Sequence, residues 1–188
     1  MYEVNRMYNK QLGGGMFQVN DEDEINAFNR QWGIFSLAML TSMLDRLVAL
    51  LGPVAKRQIY EAGFTSGKMA GDRMREFFGG GIEQIKKHLD LIKNMGWGRL
   101  KSIEHDDASG KILVEFYKTR EAAGYGELHP GEKQKAATCV LCAGLYAGAA
   151  TGAFEKMYES EEVLCVSKGD PVCRFEFTPV GELKKVMK

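Results

Sequence analysis

Cys139, Glu162, Cys165 and Cys173 carry the strongest chemical signal in this chain, because three thiols and a carboxylate can close around one metal ion. The tight part is Glu162-x2-Cys165-x7-Cys173. Its two cysteines flank Lys168-Gly169-Asp170-Pro171, a turn-rich run between apolar stretches, so a hairpin should bring them together. Thiolate sulfur suits zinc. Three sulfurs and one carboxylate oxygen would complete the four-coordinate shell of a structural zinc, which keeps no open position for substrate. The single C-x-x-C pair, Cys139 with Cys142, offers a competing quartet of four sulfurs, since positions three apart on a helix share a face. Two readings without metal also exist. Buried free cysteine often serves as a small hydrophobe. Disulfides would require an oxidising compartment, but Met1-Tyr2-Glu3-Val4 does not open a secretory signal, so a reducing cytoplasmic setting is expected.

Other reactive residue types form no pattern. His88, His105 and His129 stand far from the cysteines in sequence, are expected to be solvated, and give no Cys-His nucleophile. The glycine runs at 13–15 and 79–81 lack the strand, lysine and hydroxyl context of a phosphate loop. Glu61, Asp72 and Glu76 fit helical spacing as surface residues and argue for no acid/base pair. Twenty-five basic residues balance twenty-five acidic ones, so net charge draws the chain toward neither nucleic acid nor a membrane surface.

The elements that must position the quartet follow from periodicity. Within 188 residues, 45% of them hydrophobic, an N-terminal arm over 1–20 and one domain over 21–188 are expected. Ile25, Phe28, Trp32, Phe35 and Met39 predict a helix from Asp21 to Leu51, apolar on more than one face and so either deeply buried or a dimer interface. Gly52-Pro53 opens a second helix to Phe78, and Ile82, Ile85, Leu89 and Ile92 mark a third. A hairpin follows around Asp106–Gly110, then a polar loop over Arg120–Lys135. A helix over Ala136–Tyr158 and a hairpin of Val163–Ser167 with Val172–Thr178 end the chain. Gly63, Gly67 and Gly71 on one helix and Gly144, Gly148 and Gly152 on another leave smooth strips, for tight packing or for a slender ligand. Strand alternation would turn Glu162 and Cys165 to opposite faces, so the quartet needs a frayed strand start or a bulge between them. No membrane span is expected. Ala136–Phe154 is uncharged but rich in alanine and glycine, and Trp32–Leu44 is too short.

The stretch Cys139-x4-Gly144-x3-Gly148 followed by Glu162-x2-Cys165-x3-Gly169-x3-Cys173-x-Phe175 resembles the V4R (4-vinyl reductase) domain. Leu51-Gly52-x6-Ile59-Tyr60-Glu61-Ala62-Gly63 resembles that family's upstream helix. The resemblance implies an α/β (α+β) fold, with helices packed on a twisted antiparallel sheet as in TRAPP tethering subunits, and commonly a homodimer. In aromatic-sensing members zinc is held at spacings that fall on Cys139, Glu162, Cys165 and Cys173, which favours Glu162 over Cys142. The histidine and tryptophan that hold a phenolic hydroxyl there correspond to Asp90 and Lys118, so phenol sensing does not carry over; His88 and Trp97 stand nearby. Phe64, Trp97, Phe116, Tyr146 and Phe154 are candidate pocket walls. The implied function is a cytoplasmic, zinc-stabilised binding or sensor domain for an apolar or aromatic, hydrocarbon-like molecule, not an enzyme. The other classes are a factor in tetrapyrrole vinyl reduction, for which no cofactor motif is visible, and a dimeric assembly module.

Overall fold

The computed structural model describes residues 36–182, together with the backbone of 18–19, 25–27 and 30–32. The expected helix from Asp21 is absent where it can be checked. Ile25–Ala27 (β2) and Arg30–Trp32 (β3) are strands that pair antiparallel with each other, and β2 also pairs with Gln18–Val19 (β1). Asn26 and Asn29 are weak helix formers. The start signal lies at Ser36, whose hydroxyl accepts the Met39 N–H at 3.1 Å and caps α1, Leu37–Leu51. The proposed arm and the acidic run Asp21–Glu24 lie largely outside the described residues.

Helix α1 is not deeply buried. Thr41 is its one buried residue, while Met43, Leu47 and Leu50 stand exposed, Leu50 at 79%. Pro53–Phe78 forms α2 and Gly81–Asn94 forms α3, with Ile85, Leu89 and Ile92 inward as their period requires. Strands Gly98–Asp106 (β4) and Lys111–Thr119 (β5) make the expected hairpin. The segment after it is not simply a polar loop: Arg120–Leu128 is helix α4. Thr119 supplies its cap by accepting the Ala122 N–H at 3.3 Å. Gly124 suggested a loop, yet it lies against Thr41 and Leu37 of α1, where a side chain would collide.

The last helix is shorter than expected. It runs from Val140 to Phe154 (α5) and stops at Glu155, whose φ of 53° is left-handed. Strand β6, Lys156–Leu164, takes over and pairs with Cys173–Glu182 (β7), while Cys165 lies beyond β6 and Val166–Lys168 make a short 3-10 turn. The sheet order is β4-β5-β7-β6, all antiparallel. Ile112, Val114 and Phe116 of β5 and Cys173, Phe175 and Phe177 of β7 fill its inner face. On the opposite face, Lys101 and Arg174 flank Glu115 and hold its carboxyl down at about 2. Helices thus pack against a four-stranded antiparallel sheet in an α+β arrangement. Among the described residues no helix is long and apolar enough to cross a membrane.

Helices α2 and α5 run in the same direction with their backbones in contact. Gly63, Gly67 and Gly71 face Leu141, Leu145 and Ala149, and Gly144, Gly148 and Gly152 face Tyr60, Phe64 and Asp72 in return. A methyl on Gly71 would meet the Ala149 carbonyl oxygen at 2.6 Å, and one on Gly67 would overlap the backbone of Leu145. The strips are therefore packed against each other and leave no room for a ligand. Gly67→Ala should lower unfolding stability by about 1 to 3 kcal/mol through overpacking, against its gain in helix propensity. Gly126→Ala at an exposed position of α4, with nothing within 4 Å, should be neutral or stabilising. Urea unfolding of both variants reads the difference.

Candidate functional site

The four predicted ligands converge from three places in the chain. Cys139 caps α5, Glu162 ends the regular part of β6, Cys165 follows that strand, and Cys173 opens β7. Phe116 of β5 is the register partner of Cys173, and its neighbour by two along the strand, Val114, faces Phe175. The parity conflict is resolved by a bulge. Glu162 pairs with Phe175 and Leu164 with Arg174, so β6 advances two residues while β7 advances one. The next residue, Cys165, thus returns to the side of Cys173 and Glu162.

The donor atoms of the quartet all lie within 4.8 Å of one another. Cys139 Sγ is 4.0 Å from both Cys165 Sγ and Cys173 Sγ. Zinc–sulfur bonds of about 2.3 Å in a tetrahedron place sulfurs roughly 3.8 Å apart, so the spacing suits one ion and is far too long for a disulfide. All four cysteines are free and buried. Glu162 Oε2 accepts the Cys139 N–H at 2.9 Å, while its Oε1 is buried without a hydrogen-bond partner. That orphaned oxygen fits a fourth ligand. Cys142 is not a member of the cluster; it is buried one turn further along α5, and its N–H donates to Glu121 Oε2 at 2.8 Å.

Hydrogen bonds already orient the sulfurs. Thr119 Oγ1 lies 2.9 Å from Cys139 Sγ, Thr138 Oγ1 lies 3.6 Å from Cys165 Sγ, and the Val166 N–H donates to Cys173 Sγ at 3.5 Å. Such outer contacts fix ligand geometry. Burial pushes the Cys139 thiol far up and Glu162 up to about 8, whereas hydrogen bonds from Cys139 and Cys173 pull the Cys165 thiol strongly down. A bound dication would favour the charged form of every member.

A second buried carboxylate, Glu121, was hidden from sequence reasoning because α4 was read as a loop. Its two oxygens accept the N–H groups of Leu141 at 3.2 Å and Cys142 at 2.8 Å, and burial raises it to about 7. The motif Thr119-x-Glu121-Ala122 was the available signal, a cap followed by an acid in the first turn.

The five pocket-wall candidates are spread through the interior. Phe116 and Tyr146 are fully buried and stacked at 5.3 Å, with Phe175 edge-on to both. Trp97 is half-buried beneath the Arg120 guanidinium, Phe154 packs on Tyr158, and Phe64 is half-buried on α2. Glu61, Asp72 and Glu76 lie at the surface as expected, each in an ion pair, with Arg57, Lys68 and Arg73 respectively. The histidines differ from expectation. His88 is 5% exposed, its Nδ1 is 3.1 Å from Met74 Sδ, and its Nε2 has no partner. His105 is largely covered against Phe154, and His129 stacks on Tyr125 and bonds Asp45. One turn of α3 decides His88: position 88 shares the inward face with Ile85, Leu89 and Ile92.

Comparison with known proteins places this geometry. The V4R domain matches residues 128–179, which include the whole quartet. Comparison with curated proteins returns no match. The phenol-responsive sensory domain of the transcription activator PoxR, solved with phenol, superposes at a TM-score of 0.75 with 19% identity, covering 95% of this chain and 92% of that one. Trafficking protein particle complex subunit 3 from Naegleria fowleri, covalently bound to palmitic acid, superposes at 0.51 with 13% identity, covering 79% of this chain and 98% of that one. The fold shared with both is the V4R/TRAPP-like one.

Burial of His88 has a pH consequence. Its folded pKa is lowered from 6.5 to about 4 by desolvation, so the unfolded chain takes up a proton first as pH falls. Stability is fully present above about 6.5 and declines toward pH 4, by up to about 3 kcal/mol from this one group. In urea titrations between pH 7 and 4.5, His88→Gln should show a shallower decline than the parent; equal slopes would contradict the assignment.

Proposed function

We propose that this chain is a non-catalytic binding or sensor domain for an apolar or aromatic small molecule. Its core is held by one structural zinc at Cys139, Glu162, Cys165 and Cys173, and it acts in the cytoplasm as a homodimer. The convergence of three thiols with the unpartnered Oε1 of Glu162 carries this reading. A closed sulfur-rich shell supplies folding energy and leaves no position for a substrate. The likeness of fold to a phenol-responsive sensory domain supports binding as the task.

The ligand wall in this reading is the aromatic layer of Phe64, Trp97, Phe116, Tyr146 and Phe154. The Tyr146 hydroxyl of this set, and His88 Nε2 on the inward face of α3, are buried without hydrogen-bond partners, which suits a ligand carrying a hydroxyl or carbonyl group. Asp90 and Lys118 are both exposed, so phenol itself is not the expected ligand. The exposed Met43, Leu47 and Leu50 of α1 and Val54 of α2 supply the surface for a second copy. That same surface supports an assembly module as the second reading.

Native mass spectrometry of protein purified without added metal tests these points together. A dimer with one zinc per chain and a retained organic mass is expected; a dimer with metal and no ligand under any aromatic titration would favour the assembly reading. Cys165→Ser and Cys173→Ser should lose the metal and at least about 3 kcal/mol of stability, as broken buried clusters do. Cys142→Ser should keep the metal. Metal-free parent protein with undiminished stability would overturn the zinc site.

A further inference from the structure

A cavity lies between α1, α2, α4 and the residues leading into α5, bounded by different side chains from the aromatic layer. It adjoins the thiol cluster through Thr138, whose hydroxyl also approaches Cys165 Sγ, and through Val140, the residue after Cys139. Leu44 and Val48 of α1, Ile59 of α2 and Val140 form its apolar wall, and Glu121 is its buried acid, 4% exposed. The volume is about 100 Å³. A dry apolar cavity of roughly 150 Å³ accepts benzene, so this one suits a body of about four carbons.

The charge at its floor is incomplete. Glu121 receives two backbone N–H bonds from the first turn of α5, and among the described residues no basic side chain pairs with it. Amide dipoles at a helix start favour an anion, but a buried carboxylate without a cation still bears a desolvation cost of several kcal/mol. At the rim, Asp45 and Lys56 carry opposite charges, and Asp45 is bonded to His129 at 2.7 Å. With Asp45 so bonded, the other charged groups of the lining are Lys56 and the buried Glu121.

We propose that this cavity binds a short alkylammonium, its cationic head on the Glu121 carboxylate and its hydrocarbon against Leu44, Val48 and Ile59. A carboxylate offers about four acceptor sites; the Leu141 and Cys142 N–H groups and the Cys142 thiol occupy three of those on Glu121, and the remaining one is open to a donor. The inner side of α1 forms the wall and the outer side carries the exposed Met43, Leu47 and Leu50. Occupancy would thus bear on the helix that faces a partner. The site is independent of the aromatic-ligand reading.

The test uses the full chain with metal bound, at pH 8.5, titrated with n-butylammonium and separately with n-butyrate, following backbone amide resonances. Saturable shifts at Leu141 and Cys142 with the cation are expected, with at least about tenfold weaker response to the anion, as like charge at the floor requires. Val48→Phe, and independently Ala137→Leu, should weaken cation binding at least about tenfold by filling the space, with melting curves retained. Absence of saturable shifts, equal response to butyrate, or undiminished binding in a folded filling variant would overturn the proposal.

Discussion

The first turn of α5 is the point on which the rest of the structure depends. Its free N–H groups at Cys139, Leu141 and Cys142 are buried, and a helix start left unpartnered inside a protein is strongly unfavourable. Two carboxylates from distant segments meet them, Glu162 from β6 and Glu121 from α4. One interaction therefore fixes three elements. It aligns β6, which leads into Cys165, with the helix that Cys139 opens, and it ties α4 to that helix.

The glycine contact determines how that turn is placed. With backbones of α2 and α5 touching, α5 cannot rotate or slide without collision, because the neighbouring atoms are carbonyls and amides rather than flexible side chains. Its remaining surface is free to pack alanines, Tyr146 and the cysteines against the sheet. An interior set this rigidly suits a metal shell, where ligand atoms must be held in fixed geometry before the ion arrives. The β6 bulge is the complementary adjustment, one extra residue that turns Cys165 toward its partners.

Helix α1 stands apart from this rigid centre. It touches α4 through Thr41 against Gly124 and through Asp45 with His129, turns Leu44 and Val48 toward the cavity it shares with α2, and leaves Met43, Leu47 and Leu50 exposed. A helix with a cavity on its inner side and an apolar exterior is the element best able to respond to what lies beneath or beside it. The thiol–carboxylate cluster and the glycine seam form the rigid centre, and α1 supplies the variable surface.

Much of this was legible in the sequence because its signals are local. The quartet spacing, the turn at Asp106–Gly110, the Pro53 start of α2 and the Ile85-Leu89-Ile92 face of α3 depend on neighbours within a turn or a hairpin. Other features depend on contacts across the chain. Gly124 marks a loop by propensity, yet in α4 it makes room for Thr41; Ile25 and Trp32 fit a helical period, yet they lie in short strands. His88 looked polar and is buried. By itself the sequence determined which atoms can bind a soft cation and where the helices from Pro53 and Gly81 and the hairpin at Asp106–Gly110 lie, since residue chemistry and periodicity are properties of the chain alone. Only the tertiary structure decided that Glu162 rather than Cys142 joins the thiols, that the glycine strips close on each other, and that Glu121 is buried in a cavity. Burial and register arise from segments many residues apart, and no local pattern encodes them.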